Sequence, residues 1–223
     1  MQPMRADGRP TLTTTSYAVL SLLSLRPWTT YELTKQMQRS LHWIWPRAES
    51  KVYEEPRKLV AHGLARARRR YTGQRAGTVY TITAAGRRAL TAWVSGRGAP
   101  GPVLEFEAML RVFVADCADV DSLRRTLDAV RTETETWQEF GTALGEEIAS
   151  NGGPFPQRAH VNALLHRFLS LYVDAVHRWA EWALDEVAGW KDTAPDPDKL
   201  ERAKAIFSIP LAQVAGLPLP KPR

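Results

Sequence analysis

Five arginines fall within ten residues, at Arg66, Arg68, Arg69, Arg70 and Arg75. A guanidinium stays charged at any physiological pH and forks onto phosphate or carboxylate oxygens, so a row of them is chemistry for holding a polyanion. The residues carrying them read as a strand over 64–71, a glycine-bounded loop over 72–77 and a return strand over 78–83. A two-stranded hairpin is unstable alone and must lean on neighbouring elements. Charges turned outward on it repel one another unless something anionic neutralises them.

The elements that must support this hairpin precede it. Tyr17 to Ser24 is apolar at Ala18, Val19, Leu20, Leu22 and Leu23, a short buried helix stopped by Arg26-Pro27. Thr29-Thr30-Tyr31-Glu32 fits a capping box, and Leu33, Met37 and Leu41 then recur every four residues on one face of a second helix. A third helix is expected from about Ala48 to His62, ending at Gly63. At 100° per residue its core face is Val52, Pro56, Leu59, Val60 and Gly63, while Ser50, Tyr53, Glu54, Arg57 and Lys58 point away. Hydroxyl and cationic groups on such a face suit base edges and phosphates. An ordinary solvated helix face would look the same, and the basic hairpin that follows tips the balance. Pro56 inside this helix is expected to remove one hydrogen bond and to kink it. Three helices followed by a basic hairpin specify a winged helix-turn-helix, with the third helix in a major groove and the hairpin on the flanking backbone.

Charge divides along the same line. Residues 1–98 hold 17 Lys+Arg and 5 Asp+Glu, net +12, whereas 99–223 hold 13 and 19, net −6. The first part suits an anionic partner such as double-stranded DNA. No apolar run approaches the roughly 20 residues that span a bilayer, and the N-terminus lacks the apolar stretch of a secretory signal, so a cytoplasmic protein without a membrane partner is expected. Cys117 is the only cysteine, which rules out an internal disulfide and a Cys-rich zinc site; its type is most often a small buried residue. His160, His166 and His177 share one helix at spacings that fit no metal motif, and they read as surface or rim residues. GxGxxG, GxxxxGK[ST] and GxSxG are all missing. No catalytic residue, metal site or cofactor is expected, and the protein reads as no enzyme.

Glycine and proline punctuation sets the domain plan. Ser95 to Pro102 holds three glycines and two prolines, and a domain boundary belongs there. The expected plan is an arm over 1–13, the winged module over 14–95, a helical module over 103–190 and a proline-rich tail over 191–223. The tail carries six prolines in 33 residues, with one short helix expected from Asp198 to Phe207 and partial disorder elsewhere. Leu104 to Phe113 reads as a helix. Leu123 to Ile148 and Val161 to Ala183 read as two long helices, which the Gly-Pro turn at 151–156 should pair antiparallel. The second is apolar over more than one stripe, through Leu164, Leu169, Leu171, Val173 and Trp182, and the surplus points to a homodimer built from these C-terminal helices. The fold class is mainly α with a small β-hairpin.

These residues resemble the PadR family of transcriptional regulators over most of the chain. Tyr17-Ala18-Val19-Leu20-Ser21-Leu22-Leu23 looks like the family's first helix, and Tyr31-Glu32-Leu33 resembles its Gly-Tyr-Glu-Leu motif, with Thr30 where a glycine is usual. Val52-Tyr53 and Leu59 to Leu64 resemble the recognition helix running into the wing. Thr78 to Gly86 with Leu90 and Trp93 is similar to the return strand and the helix after it. The resemblance implies a DNA-binding repressor, with Ser50, Lys51 and Tyr53 as DNA contacts and Arg69, Arg70 and Arg75 on phosphates. Tyr17, Glu54, Arg57, Lys58 and Arg68 complete the candidate interface. It also implies a small aromatic or hydrophobic effector, for which Trp43, Trp45, Trp93 and Trp179 are candidates, although core packing explains each of them better. A palindromic operator follows if the dimer is twofold. Two other readings remain: a MarR-like regulator, disfavoured by the short segment before the first helix, and a winged-helix interaction adaptor, which has no reason to keep the five arginines.

Overall fold

The computed structural model describes residues 12–40, 44–45, 53–72, 75–96 and 101–209. The chain divides into two compact units between Gly101 and Pro102.

In the N-terminal unit, α1 (Thr14–Leu25) is capped by Thr13, whose side chain accepts from the Ser16 N–H while Ser16 accepts from the Thr13 N–H. Its apolar residues Val19, Leu20, Leu22 and Leu23 form the core with Leu33 and Met37 of α2 (Thr30–Ser40) and Leu59 of α3 (Glu55–Ala61). The expected capping box of α2 is present. The Thr29 N–H and hydroxyl donate to Glu32 Oε2 at 2.7 and 2.8 Å, and the Glu32 N–H donates back to Thr29 Oγ1 at 3.2 Å. Burial by itself would raise the Glu32 carboxyl; the Thr29 donors and Arg26 outweigh it and hold the group below its usual range.

The sheet has three antiparallel strands in the order β1 (Trp28–Thr29), β3 (Arg75–Ile82), β2 (Ala65–Thr72). The short β1 was not foreseen. Trp28 sits opposite Tyr80 and buries its ring, donating its Nε1–H to the Leu22 carbonyl at 2.7 Å. The hairpin closes more tightly than expected: Thr72 pairs with Arg75, so the connection is two residues long and Arg75 opens the return strand. Thr83 then caps α4 (Ala84–Val94), and Gly86 lies so close to the Leu64 carbonyl that a Cβ there would stand 2.1 Å from it.

The C-terminal unit is helical. After α5 (Glu107–Phe113) and a 3-10 turn over Ala115–Cys117, α6 (Val120–Asn151) and α7 (Ala159–Val187) lie antiparallel. Leu123 and Leu127 at the start of α6 bury against Ala183 and Val187 at the end of α7. Gly152, with φ 77°, ends α6 in the left-handed conformation, as a Gly-Pro turn requires. The short helix expected in the tail is α8 (Pro197–Phe207); Arg202 forks onto the Glu186 carboxylate of α7 at 2.9 and 3.0 Å. Cys117 is exposed, contrary to expectation, because a 3-10 turn leaves it on the unit's surface. His177 is no rim residue either: its side chain is 15% exposed and its Nδ1 lies 3.0 Å from the buried Thr134 hydroxyl.

Candidate nucleic-acid interface

The hairpin's register sorts its arginines. Ala65 and its partner Ile82 are buried, as is Tyr80 opposite Ala67, so this face rests on the helices. Side chains alternate along a strand. Arg66, Arg68 and Arg70, opposite Thr81, Val79 and Gly77, therefore share the other face, while Arg69 follows Ala67 on the supported one. All four are exposed. Successive arginines on the shared face are about 6.8 Å apart, two base-pair rises of a duplex. Arg75 stands at the register position opposite Thr72, and its side chain lies outside the described ones. Between Glu55 and Glu105 the sequence holds no Asp or Glu, a one-sided run that net charge alone did not reveal.

The third helix differs from expectation in where it starts. Tyr53 and Glu54 lie in a turn and α3 begins at Glu55, so Pro56 occupies its second position. There the missing N–H has no intrahelical acceptor to lose, and the expected kink does not arise. The pyrrolidine ring is fully buried and helps seat the helix. Ser50, Lys51 and Trp43 lie outside the described residues. Tyr53 is 61% exposed and Glu54 and Arg57 are exposed, whereas Lys58 is partly covered and pairs with Glu54 at 3.4 Å and Glu55 at 3.6 Å.

Two contacts that sequence reasoning missed fix this helix. The Glu55 carboxylate is buried and accepts a hydrogen bond from the Ser16 hydroxyl of α1. It thereby lies near the N-terminal end of α1, whose dipole favours an anion. At the other end, Gly63 adopts φ 67°, with its N–H bonded to the Val60 carbonyl and that of Leu64 to the Leu59 carbonyl. The Thr83 hydroxyl donates to the Gly63 carbonyl at 2.7 Å, so the end of α3 and the root of the wing are joined directly. A glutamate opposite a serine 39 residues away leaves no local signature, which is why only the spacing of apolar residues was legible.

The aromatic candidates separate. Trp93 stacks on Tyr17, with centroids 4.7 Å apart and planes 10° from parallel, and Trp45 donates to Thr15 Oγ1 at 3.3 Å. Trp179 belongs to the C-terminal unit, where it meets Phe106 edge-on at 6.3 Å. That unit also holds a groove of about 1030 Å³, lined by Phe106, Arg111, Leu123, Val130, Trp137 and Tyr172 among others, and Trp179 does not line it. Among the described residues, no group of three or more His, Cys, Asp or Glu is placed to hold a metal ion, and no helix is long and apolar enough to cross a membrane.

Three antiparallel strands wrapped by helices, with a basic hairpin beside an exposed helix, define a winged helix-turn-helix protein. Residues 19–92 match the transcriptional regulator PadR-like family. Bacillus subtilis PadR solved with operator DNA shares the fold at TM-score 0.66 and 19% identity, over 78% of this chain and 99% of that one. The same protein solved with p-coumaric acid gives 0.60 and 18%, over 79% and 99%. The PadR-like regulator BC1756 of Bacillus cereus gives 0.64 and 14%, over 78% and 98%. Comparison with curated proteins finds no match. Residues 19–92 are thus similar to the PadR-like family of transcriptional regulators, on a chain with the fold of the solved PadR structures.

Proposed function

We propose that the protein is a dimeric, cytoplasmic repressor that binds a palindromic operator and is released by a small aromatic or hydrophobic effector. The observation carrying this reading is the row of exposed arginines on one face of a hairpin joined through Thr83 to the end of α3. In it, residues 14–95 bind DNA, residues 103–190 dimerise, and the arm over 1–13 and the tail over 191–223 flank them. Ser50, Lys51 and Tyr53, with Tyr17, Glu54, Arg57 and Lys58 beside them, meet the major groove, and Arg68, Arg69, Arg70 and Arg75 meet phosphates. That Bacillus subtilis PadR was solved with operator DNA and with p-coumaric acid supports both halves of the proposal. An effector acts by preferring a dimer whose two reading helices are wrongly spaced for DNA, and lowers affinity by its differential binding to the two forms. Trp43, Trp45, Trp93 and Trp179 are separate aromatic candidates for contact with it; loss of a retarded operator band on adding an aromatic acid tests this part.

Selection of bound duplexes from a random pool tests the whole. The expected outcome is a palindrome whose half-sites lie about one helical turn apart. Failure to retard any duplex at low ionic strength overturns the reading in favour of an interaction adaptor.

A further inference from the structure

We infer that Thr15 and Ser16, in the first turn of α1, are positioning residues for sequence reading: they hold the two ends of the segment from Trp45 to Glu55 and so set how strongly the chain prefers its operator over other DNA. The inference rests on the DNA-binding reading proposed above and assigns part of its specificity to buried residues.

Three consecutive residues of that turn each hold a different part of the N-terminal unit. Thr15 accepts from the Trp45 Nε1–H at 3.3 Å, Ser16 donates its hydroxyl to the Glu55 carboxylate, and Tyr17 stacks on Trp93. Thr15, Ser16 and Glu55 are all buried. Trp45 and Glu55 are ten residues apart, yet they are bound by neighbours whose Cα atoms stand about 3.8 Å apart. The chain between them therefore leaves α1 and returns to it at one place, and Ser50, Lys51 and Tyr53 all belong to that stretch. The Ser16 bond has only one sense. Its oxygen already accepts from the Thr13 N–H at 3.1 Å, and its single proton goes to Glu55.

A directional bond matters here because the first turn of α3 has little else to fix its rotation. The helix runs over seven residues, of which Glu55, Pro56 and Leu59 are buried, and the Glu54 side chain makes no capping bond. Apolar contacts such as those of Pro56 and Leu59 carry no direction. Thr83 ties down the far end at Gly63, which leaves the near end to Ser16. On a helix about 5–6 Å in radius, a turn of about 20° shifts a side-chain tip by about 2 Å. That is several times the range of about half an ångström within which a hydrogen bond is good. Base-edge contacts from the exposed Tyr53 and Arg57 would be lost by such a turn. The wing arginines answer to phosphate charge in any sequence and keep their hold. Loss of the Ser16 bond should therefore cost preference and spare non-specific affinity.

The test uses the full chain, a duplex carrying the selected palindrome and a random duplex of the same length, at a temperature where every variant keeps the far-ultraviolet circular dichroism of wild type. Ser16→Ala leaves the buried Glu55 carboxylate without its hydroxyl donor. It should unfold at a lower temperature and lose about tenfold in operator affinity, with random-duplex affinity within about twofold of wild type. Ser16→Ala combined with Glu55→Met removes both polar partners at nearly constant volume; it should regain thermal stability and still lack the operator preference. Thr15→Val keeps the shape and takes away the acceptor, and should lower the preference in the same direction. Full preference in Ser16→Ala or in Thr15→Val overturns the inference, as does a double variant that regains preference together with stability; the regulator reading then stands. A wild-type chain that retards no duplex overturns that reading and this inference with it.

Discussion

Arg68 and Arg70 each lie one step along the strand from Arg69, yet that step puts them, with Arg66, on the opposite face of the wing. Arg70→Ala should weaken binding to operator and random duplex alike, and should lower the slope of log affinity against log salt by about 0.9 for each phosphate that Arg70 neutralises in the wild-type complex. Titrations at several salt concentrations check this; an unchanged slope would remove Arg70 from the phosphates. Glu32 acts inside the fold. Its folded carboxyl titrates below the usual value, so its contribution to stability is present above the ordinary carboxylate range and is lost as pH falls through the lowered folded value. Glu32→Gln should therefore be less stable than wild type at neutral pH, with the gap closing in acid. Urea unfolding at both conditions measures it, and a gap independent of pH contradicts the assignment.

At the scale of elements, the wing is held at its root. α4 approaches the hairpin where Gly86 meets the Leu64 carbonyl, and Thr83 both caps α4 and bonds to the Gly63 carbonyl. A methyl at Gly86 would also stand 2.8 Å from Ile82 Cγ1, with backbone on its other side, so neither neighbour can yield cheaply. Gly86→Ala should cost about 3 kcal/mol or more by overpacking. It should also lower operator affinity beyond that loss, because the root sets the angle between wing and α3. Thermal unfolding paired with DNA titration separates the two effects, and full stability would show that α4 can shift. The long α6–α7 pair needs no such device, being held by Leu123 and Leu127 against Ala183 and Val187.

For the whole molecule, the two units carry charge of opposite sign, so a polyanion is drawn to the basic one and repelled by the other. If two winged units bind one palindrome, the second binds at the effective concentration set by the dimer. A variant that sediments as a monomer should then lose far more affinity for operator, on the order of a hundredfold, than for random duplex. Equal losses on both would mean that each copy binds DNA independently.

Apolar spacing, capping residues and the run of arginines determined the helices, the hairpin and the basic face, because those signals act within a few residues of one another. The α2 capping box and the α6–α7 turn were legible for the same reason. Where α3 begins, the third strand at Trp28, the Glu55–Ser16 bond and the burial of His177 were decided only by tertiary structure. Each depends on groups distant in the chain meeting in space, where burial changes which hydrogen bonds are worth making. The split of the arginines between two faces belongs there too, since a one-residue change of register reverses it and only the packing of Tyr80 and Ile82 fixes which register holds.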